Sequence, residues 1–466
     1  MRLARKVNLW GMMIGFFVVS LRIKSAFMKR ILTTVIALVT MVVTSVGFTR
    51  IEGSLTESAI YPGTCHEYVV TVGEAYQPGS PAGLYIGLDG ILCDAPAVMD
   101  SLTAEGVMPP MIGVFIQPGK IVDGEGNVVR YNRSNEFDAI TDCFASFLET
   151  ELLPEIAGLT TEDGRKIVIP SEPEWRCIMG LSSGGIAAFN AAFRRPDLIG
   201  KVFSGCGTFV PMRGGEQLQA LVRKTEPGRI RVYLQDGYED TWNPLFGSWF
   251  EANILLNSAL EFAGYDVAHD WAEGGHSVKR ATEIFPEVMK WMWRDYPANI
   301  SVPTSGNTTL QRYLTDEREW EAWDEVVIRP GNRQAVYPDS TFVVSTIEGS
   351  NRLAQSIIDR RNGELIYTQP FYYLHSLSGD AVEVRDMGFD ADGNLWVLTT
   401  DGLQICDQNG RVRAILRLPN GFDAATMDIM ADGTVALTSA SGKVVKRRFN
   451  VAPAQPGVRP KSQGQA

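Results

Sequence analysis

The sequence predicts an α/β domain, a mostly parallel sheet covered by helices, followed by a smaller all-β domain. Three observations carry this expectation. Residues 60–295 alternate short apolar runs with helix-length segments, the pattern of strands joined by helical crossovers. Residues 338–450 instead hold short β-type runs broken by turn signals at a period of about 40, which suits hairpin-built repeats. Between them, residues 296–312 (PANISVPTSGNTTLQRY) form a polar stretch with the composition of a linker.

In the first domain, strands are expected at 67–72, 83–88, 111–116, 175–181, 201–204, 229–234 and 267–271. Each is short, and most run into a Gly or Asp. Helices are expected at 135–157, 184–193, 249–263 and 278–293. The first has Ser134 and Asn135 as caps and places Phe137, Ile140, Phe144, Phe147 and Leu148 at helical spacing. In the second domain, Ala391-Asp392-Gly393-Asn394-Leu395-Trp396-Val397 parallels Ala431-Asp432-Gly433-Thr434-Val435-Ala436-Leu437, and a weaker unit surrounds Asn362-Gly363. Three such units make a partial, propeller-like array, short of the roughly 4–8 blades of a closed propeller.

The expected division is an N-terminal extension with a signal or anchor at 1–53, an α/β domain at 54–297, a linker at 298–312, the propeller-like domain at 313–450 and a disordered tail at 451–466. Met28-Lys29-Arg30 followed by the apolar residues 31–48 has the charged and apolar regions of a secretory leader. Export to the periplasm or medium is therefore expected, with an uncleaved membrane anchor as the rival. Membrane contact is expected only through that segment.

The net charge of −11 argues against a nucleic-acid partner, which requires a basic surface. The six cysteines form no CxxC pair, so a zinc ribbon or thioredoxin-like site is not expected. Export would permit disulfides, whose pairings the sequence does not assign; for Cys177 and Cys206, which sit in apolar strand-like runs, buried free thiols are at least as good a reading.

Gly180-Leu181-Ser182-Ser183-Gly184-Gly185 carries the chemistry. It matches G-x-S-x-G, with an apolar strand leading in and an Ala-rich helix leading out. The glycines permit a tight turn that projects the Ser182 hydroxyl above the sheet. A serine nucleophile needs a base. Of the four histidines, His276 lies in the loop after the last strand, following Glu273-Gly274-Gly275. The acid is expected in Asp236-Gly237-Tyr238-Glu239-Asp240 after the preceding strand. Position alone leaves Asp236 and Asp240 both open. Two backbone N–H donors should hold an oxyanion, from Ser183 and from the Asp89-Gly90-Ile91 loop.

These residues resemble the putative-esterase family of α/β-hydrolases, which includes esterase D, enterochelin esterase, feruloyl and acetylxylan esterases and the mycolyltransferases. The resemblance covers about residues 60–295. It rests on Leu88-Asp89-Gly90, Asn132-Arg133-Ser134-Asn135-Glu136-Phe137-Asp138, Glu151-Leu152-Leu153-Pro154, the Ser182 motif, Leu234 to Asp240, and Glu273 to His276. It implies Asp240 as the acid, because the family's acid follows a glycine by three residues. It also implies Ile91 as the second oxyanion donor, and Arg133 and Glu136 near the substrate.

The C-terminal part resembles the gluconolactonase/regucalcin propeller. Ser350-Asn351 and Arg385-Asp386-Met387 fall near that family's metal-binding Asn and Asp, but its Glu ligand has no counterpart. No metal and no cofactor are therefore expected.

The function these features predict is an exported serine carboxylic-ester hydrolase acting on small-molecule or polysaccharide esters, with acetyl or feruloyl esters of carbohydrate favoured. A siderophore esterase or acyltransferase is the alternative within that class. From another class, the alternative is a noncatalytic binding or scaffold protein that uses the propeller-like domain.

Overall fold

A computed structural model describes residues 48–225, 227–296, 308–317, 319–324, 329–376 and 381–460. The expected leader up to residue 47, most of the linker and the end of the tail lie outside the described residues.

Eight strands form the main sheet: β1 (Phe48–Leu55), β2 (His66–Gly73), β3 (Gly83–Leu88), β4 (Met111–Ile116), β5 (Arg176–Leu181), β6 (Lys201–Gly205), β7 (Arg231–Gly237) and β8 (Asp266–Ala272). Their spatial order is β1-β2-β4-β3-β5-β6-β7-β8. β2 runs antiparallel to both β1 and β4. The remaining neighbours are parallel. This is an α/β-hydrolase sheet. After β4 the chain crosses β3 to lay down β5, so the connections leaving β3 and β5 diverge. A crevice opens at such a point, outside the carboxyl ends of the strands.

β1 departs from the expected boundary. The leader is expected to reach residue 53, yet the sheet already begins at Phe48, which pairs with Gly73. The strand is only half-buried and adjoins a long apolar run, so its alternation is masked in the sequence.

The central strands are buried on both faces, and alternate residues feed opposite cores. Leu84, Ile86, Ile112, Val114, Ile178 and Val202 face one apolar cluster, while Tyr85, Phe115, Cys177, Met179 and Phe203 face the other. α1 (Ala95–Ala104) contributes Met99 and Leu102 to the second cluster.

The expected helix at 135–157 is broken into pieces. α2 (Arg133–Phe137) stops at Asp138; α3 (Cys143–Phe147) then runs through a π-turn at Leu148–Leu152 into α4 (Leu153–Ala157). The break leaves carbonyls without helical partners, and α5 (Ser183–Arg194) supplies donors. Asn190 Nδ2 donates to the Ala139 and Thr141 oxygens, and Arg194 donates to that of Ile140. A buried Asn and Arg on an otherwise apolar helix are explained by this service. α6 (Gln217–Lys224), α7 (Trp249–Ala263) and α8 (Val278–Met292) complete the layers.

Among the described residues, twelve further strands follow α9 (Thr309–Tyr313). β9 (Glu321–Trp323) precedes the meander β10 (Gln334–Val336), β11 (Phe342–Thr346), β12 (Arg352–Ile358) and β13 (Leu365–Tyr373). A second meander joins β14 (Val384–Phe389), β15 (Leu395–Thr399), β16 (Gly402–Cys406) and β17 (Val412–Leu416). The third sheet is β18 (Ala424–Ile429), β19 (Thr434–Ser439) and β20 (Val444–Arg448), with β9 paired onto β20 as its outer strand. The repeated Asp-Gly positions fall at the β14–β15 and β18–β19 hairpins, where Gly393 and Gly433 have φ of 81° and 88°.

The described residues from Phe48 onward form one compact unit. The β sheets dock on α6: Lys224 Nζ donates to the carbonyls of Phe371 (2.9 Å) and Asn409 (3.0 Å) and lies over the Phe371 and Tyr373 rings. Arg352 reaches back to Gln217.

Among the described residues, no helix is long and apolar enough to cross a membrane.

Candidate active site

Ser182 links β5 to α5 with φ 59° and ψ −121°. A non-glycine residue rarely adopts such a backbone, and one that does stores local strain. The flanking glycines are required sterically. A Cβ on Gly180 would lie 2.2 Å from the Gly184 carbonyl oxygen, and one on Gly185 would lie 2.8 Å from Ser204 Oγ. Ser182 is clamped from β6: its N–H donates to the Gly205 oxygen (2.9 Å), and its carbonyl accepts from Thr208 N–H (3.1 Å).

His276 and Asp240 meet across two loops. His276 Nδ1 lies 2.7 Å from Asp240 Oδ1, and the Asp240 side chain is fully buried. Burial pulls the Asp240 carboxyl upward, but hydrogen bonds from His276, Asp236 and Thr241 N–H together hold it below the usual carboxylate range. Among the described residues the imidazole's carboxylate partner is Asp240 and not Asp236, the alternative acid. It lies behind Asp240, wholly buried, accepting from Gly237 N–H (2.7 Å) and Asn253 Nδ2 (2.8 Å). Burial and the neighbouring Asp240 charge push its carboxyl well above the ordinary range.

Two residues at the site carried no sequence signal. Thr208 Oγ1 is the hydrogen-bond partner of Ser182 Oγ among the described residues, at 3.4 Å, and accepts from Trp249 Nε1 at 3.3 Å. The Trp249 ring in turn meets His276 edge-on, 6.3 Å between centroids. Neither belongs to a motif; they come together because β6 and α7 converge on the elbow.

The N–H of Ser183 lies in the first turn of α5, where a helix has no internal acceptor for it. Across the crevice, Asp89 and Gly90 both take left-handed φ, 62° and 84°, and present Ile91 partly exposed. Arg133 ties this loop to the elbow. Its Nε and Nη2 grip both Asp89 oxygens at 2.6 and 2.8 Å, and Nη2 also reaches the Leu181 carbonyl at 3.2 Å.

Arg133 is expected at the substrate, but these bonds give it a scaffolding duty at the crevice wall. Glu136 is a clearer correction. It is 1% exposed, and its oxygens accept from Asn132 Nδ2 and Gly119 N–H and contact His66 Nε2. That network pins a loop and leaves no oxygen for substrate.

Cys206, Asp240 and His276 offer ligand atoms within 4.8 Å of one another, the one such group among the described residues. Burial holds the Cys206 thiol well above its usual range, and Asp240 is engaged by His276, so the donor set suits a hydrogen-bonded His276–Asp240 pair better than a cation. In the β region, Asp386 is likewise occupied. Arg329 Nη2 binds it at 2.7 Å, and the N–H groups of Asn332, Met387 and Met427 complete its shell. A guanidinium thus stands where the propeller resemblance places a metal ligand.

A family described as putative esterase matches residues 65–345, more than half of the chain. The chain belongs to the putative esterase family. A curated relative, an iron(III) enterobactin esterase of Dickeya dadantii, is 29% identical over 197 residues. The chain spans 40% of that relative's length, and the match takes in 39% of this chain. Similar solved structures include a ferulic acid esterase (17% identity, TM-score 0.41, covering 53% of this chain and 99% of that one). Another is a ferric enterobactin esterase from Salmonella typhimurium (20% identity, TM-score 0.42, covering 53% and 58%). The family match extends past α8 into β10 and β11, beyond the part of the chain that carries the sequence resemblance.

Proposed function

We propose that this esterase-family chain is a serine carboxylic-ester hydrolase working through an acyl-enzyme. The observation that carries the proposal is the 2.7 Å contact of His276 Nδ1 with buried Asp240, linked through Trp249 and Thr208 to Ser182 on a strained elbow. Ser182 Oγ leaves Thr208, attacks the ester carbonyl and passes its proton to His276 Nε2. Asp240 holds the imidazole in the tautomer with Nδ1–H and stabilises the imidazolium. The N–H groups of Ser183 and Ile91 receive the oxyanion. His276 returns the proton to the departing alcohol, and water then releases the acid. No cofactor enters this sequence.

For the substrate, the enterobactin esterase relative favours a siderophore ester. Acetyl or feruloyl esters of carbohydrate are the second reading, favoured by the leader at Met28-Lys29-Arg30, which also motivates export. We retain the two-domain division around residues 298–312 as part of this proposal, with the β sheets as an accessory domain.

A fluorophosphonate probe should label the folded protein at Ser182, and Ser182→Ala should abolish labelling. Folded protein that resists labelling would favour the scaffold alternative. Hydrolysis rates on ferric and iron-free enterobactin, acetylxylan and methyl ferulate, with Ser182→Ala as control, choose among the substrates. N-terminal sequencing of protein recovered outside the cytoplasm tests export.

A further inference from the structure

A second carboxyl group stands directly behind the proposed triad acid, and the hydrogen bonds decide its state. Asp240 Oδ1 receives His276 Nδ1 and Thr241 N–H. Asp240 Oδ2 is buried and has no N–H donor among the described residues. The neighbouring side chain is Asp236, four residues earlier in the same loop, itself 0% exposed and tied to Gly237 N–H and Asn253 Nδ2, and it shares a side-chain hydrogen bond with Asp240; with Oδ1 occupied, Oδ2 is the oxygen left for it.

Two ionised carboxylates in contact, with water excluded from both, repel too strongly to coexist, so one proton is shared between them. The charge settles on the member beside the imidazole, because only Asp240 touches a group that becomes cationic. Asp236 keeps its place through Asn253, whose Nδ2 is also near the Gly207 and Trp249 carbonyls. The titratable groups around Asp236 are Asp240 on its own loop, His276 from the loop after β8, and the thiol of Cys206 at the end of β6.

We infer that Asp236 is a neutral carboxylic acid that donates its proton to Asp240 Oδ2, and so acts as a positioning residue for the His276–Asp240 pair. The inference rests on the triad reading above. A single negative charge is then spread over two carboxyl groups behind one imidazole. The donated hydrogen bond fixes the plane of the Asp240 carboxylate and lowers its basicity, so the catalytic proton stays on His276 during turnover. The bond is internal to the dyad: Asp236 O–H is donor, Asp240 Oδ2 is acceptor, and no proton leaves the pair.

The test is infrared difference spectroscopy of the full chain near neutral pH, wild type minus Asp236→Asn. The expected result is the carbonyl stretch of a protonated, buried carboxylic acid, lost in the variant. Absence of that band in wild type overturns the inference. Should Asp236→Asn fail to fold, Asp240→Asn serves instead. It replaces an anionic acceptor by an amide and should shift the band, and an unmoved band overturns the assignment.

Kinetics give an independent reading. An amide at 236 still donates, so Asp236→Asn should lose only a few-fold in kcat/KM. Asp236→Leu, which cannot donate, should lose about ten- to a hundredfold, the usual weight of a hydrogen bond to a charged group. The acid limb of the pH profile should stay in place or rise slightly in Asp236→Asn. A limb that moves to lower pH would mean that a negative charge had been removed, and the inference fails. Full activity in Ser182→Ala would sink the triad reading while leaving the infrared band to report on Asp236 alone.

Discussion

Gly237 and Gly274 meet backbone to backbone: a Cβ on Gly237 would lie 2.1 Å from the Gly274 carbonyl oxygen. The contact joins the acid loop after β7 to the histidine loop after β8. Glu239 N–H donates to that same Gly274 oxygen at 3.0 Å, and Tyr238 N–H donates to Ala272 at 2.9 Å. Three residues beyond Gly237, Asp240 arrives at His276. The glycine that precedes the family's acid by three residues thus has a steric reason here. Gly237→Ala should force the loops apart, costing ~1–3 kcal/mol of stability as an overpacked contact. Esterase activity should fall more than stability does, because the Asp240–His276 distance moves. Urea unfolding alongside initial rates checks this, and an unchanged rate would separate the glycine contact from the triad geometry.

Ser182 occupies a backbone region that strains any residue with a Cβ. Ser182→Gly should therefore be more stable than wild type by ~1 kcal/mol or more, while losing activity. Ser182→Ala should lose ~10⁴-fold or more in kcat with little change in stability. Thermal unfolding of the two variants side by side gives the comparison. A destabilised Ser182→Gly would mean that the elbow holds no strain.

Asp236 makes a pH prediction with a definite sign. Its folded-state carboxyl is pushed up by burial and by Asp240, whereas in the unfolded chain it ionises at an ordinary value of about 3.9. The folded form therefore holds a proton that the unfolded form releases, and stability is lost as pH rises from that ordinary value towards the raised one. Asp236→Asn removes this loss. Its urea midpoint relative to wild type should be higher at pH near 8 than at pH near 4, and a pH-independent difference would contradict the raised carboxyl. Asp240 has the opposite sign: its lowered carboxyl contributes stability above the ordinary value that is lost on acidification.

Arg133 pairs with Asp89 at 2.6 and 2.8 Å and so holds the proposed oxyanion loop against the elbow. Lysine cannot reproduce a planar fork. Arg133→Lys should lower kcat with little effect on KM, and Asp89→Asn should add little to it in the double variant, since both break one unit. Additive losses would instead place Arg133 on the substrate.

Asp386 is buried at the junction of the β sheets and paired with Arg329. Arg329→Ala leaves that carboxylate without its cation and should cost ~3–5 kcal/mol, seen as early melting of the β region. Chelators should not reproduce the effect.

Much of this protein was legible in the sequence. β3 and β4 fall where their apolar runs predict, because strands buried on both faces need continuous hydrophobic residues. The Ser182 elbow was readable because its glycines serve local backbone geometry. The order of Ser182, the acid loop and His276 followed from the order of the strands.

Other features depend on contacts between segments distant in sequence, which no local pattern encodes. The helix expected at 135–157 breaks because Asn190 and Arg194 satisfy its freed carbonyls. Glu136 turned from a substrate contact into a buried scaffold because His66, Asn132 and Gly119 surround it. The choice between Asp236 and Asp240 was undecidable by position, since both lie in one loop. The tertiary structure separated them by bringing the β8 loop to one and α7 to the other. The sequence determined which elbow and which loops make up the candidate site. Only the packing of β6, α7 and the two glycine-bearing loops decided which carboxyl group meets the imidazole and which stands behind it, because burial and neighbouring charge are properties of the folded chain.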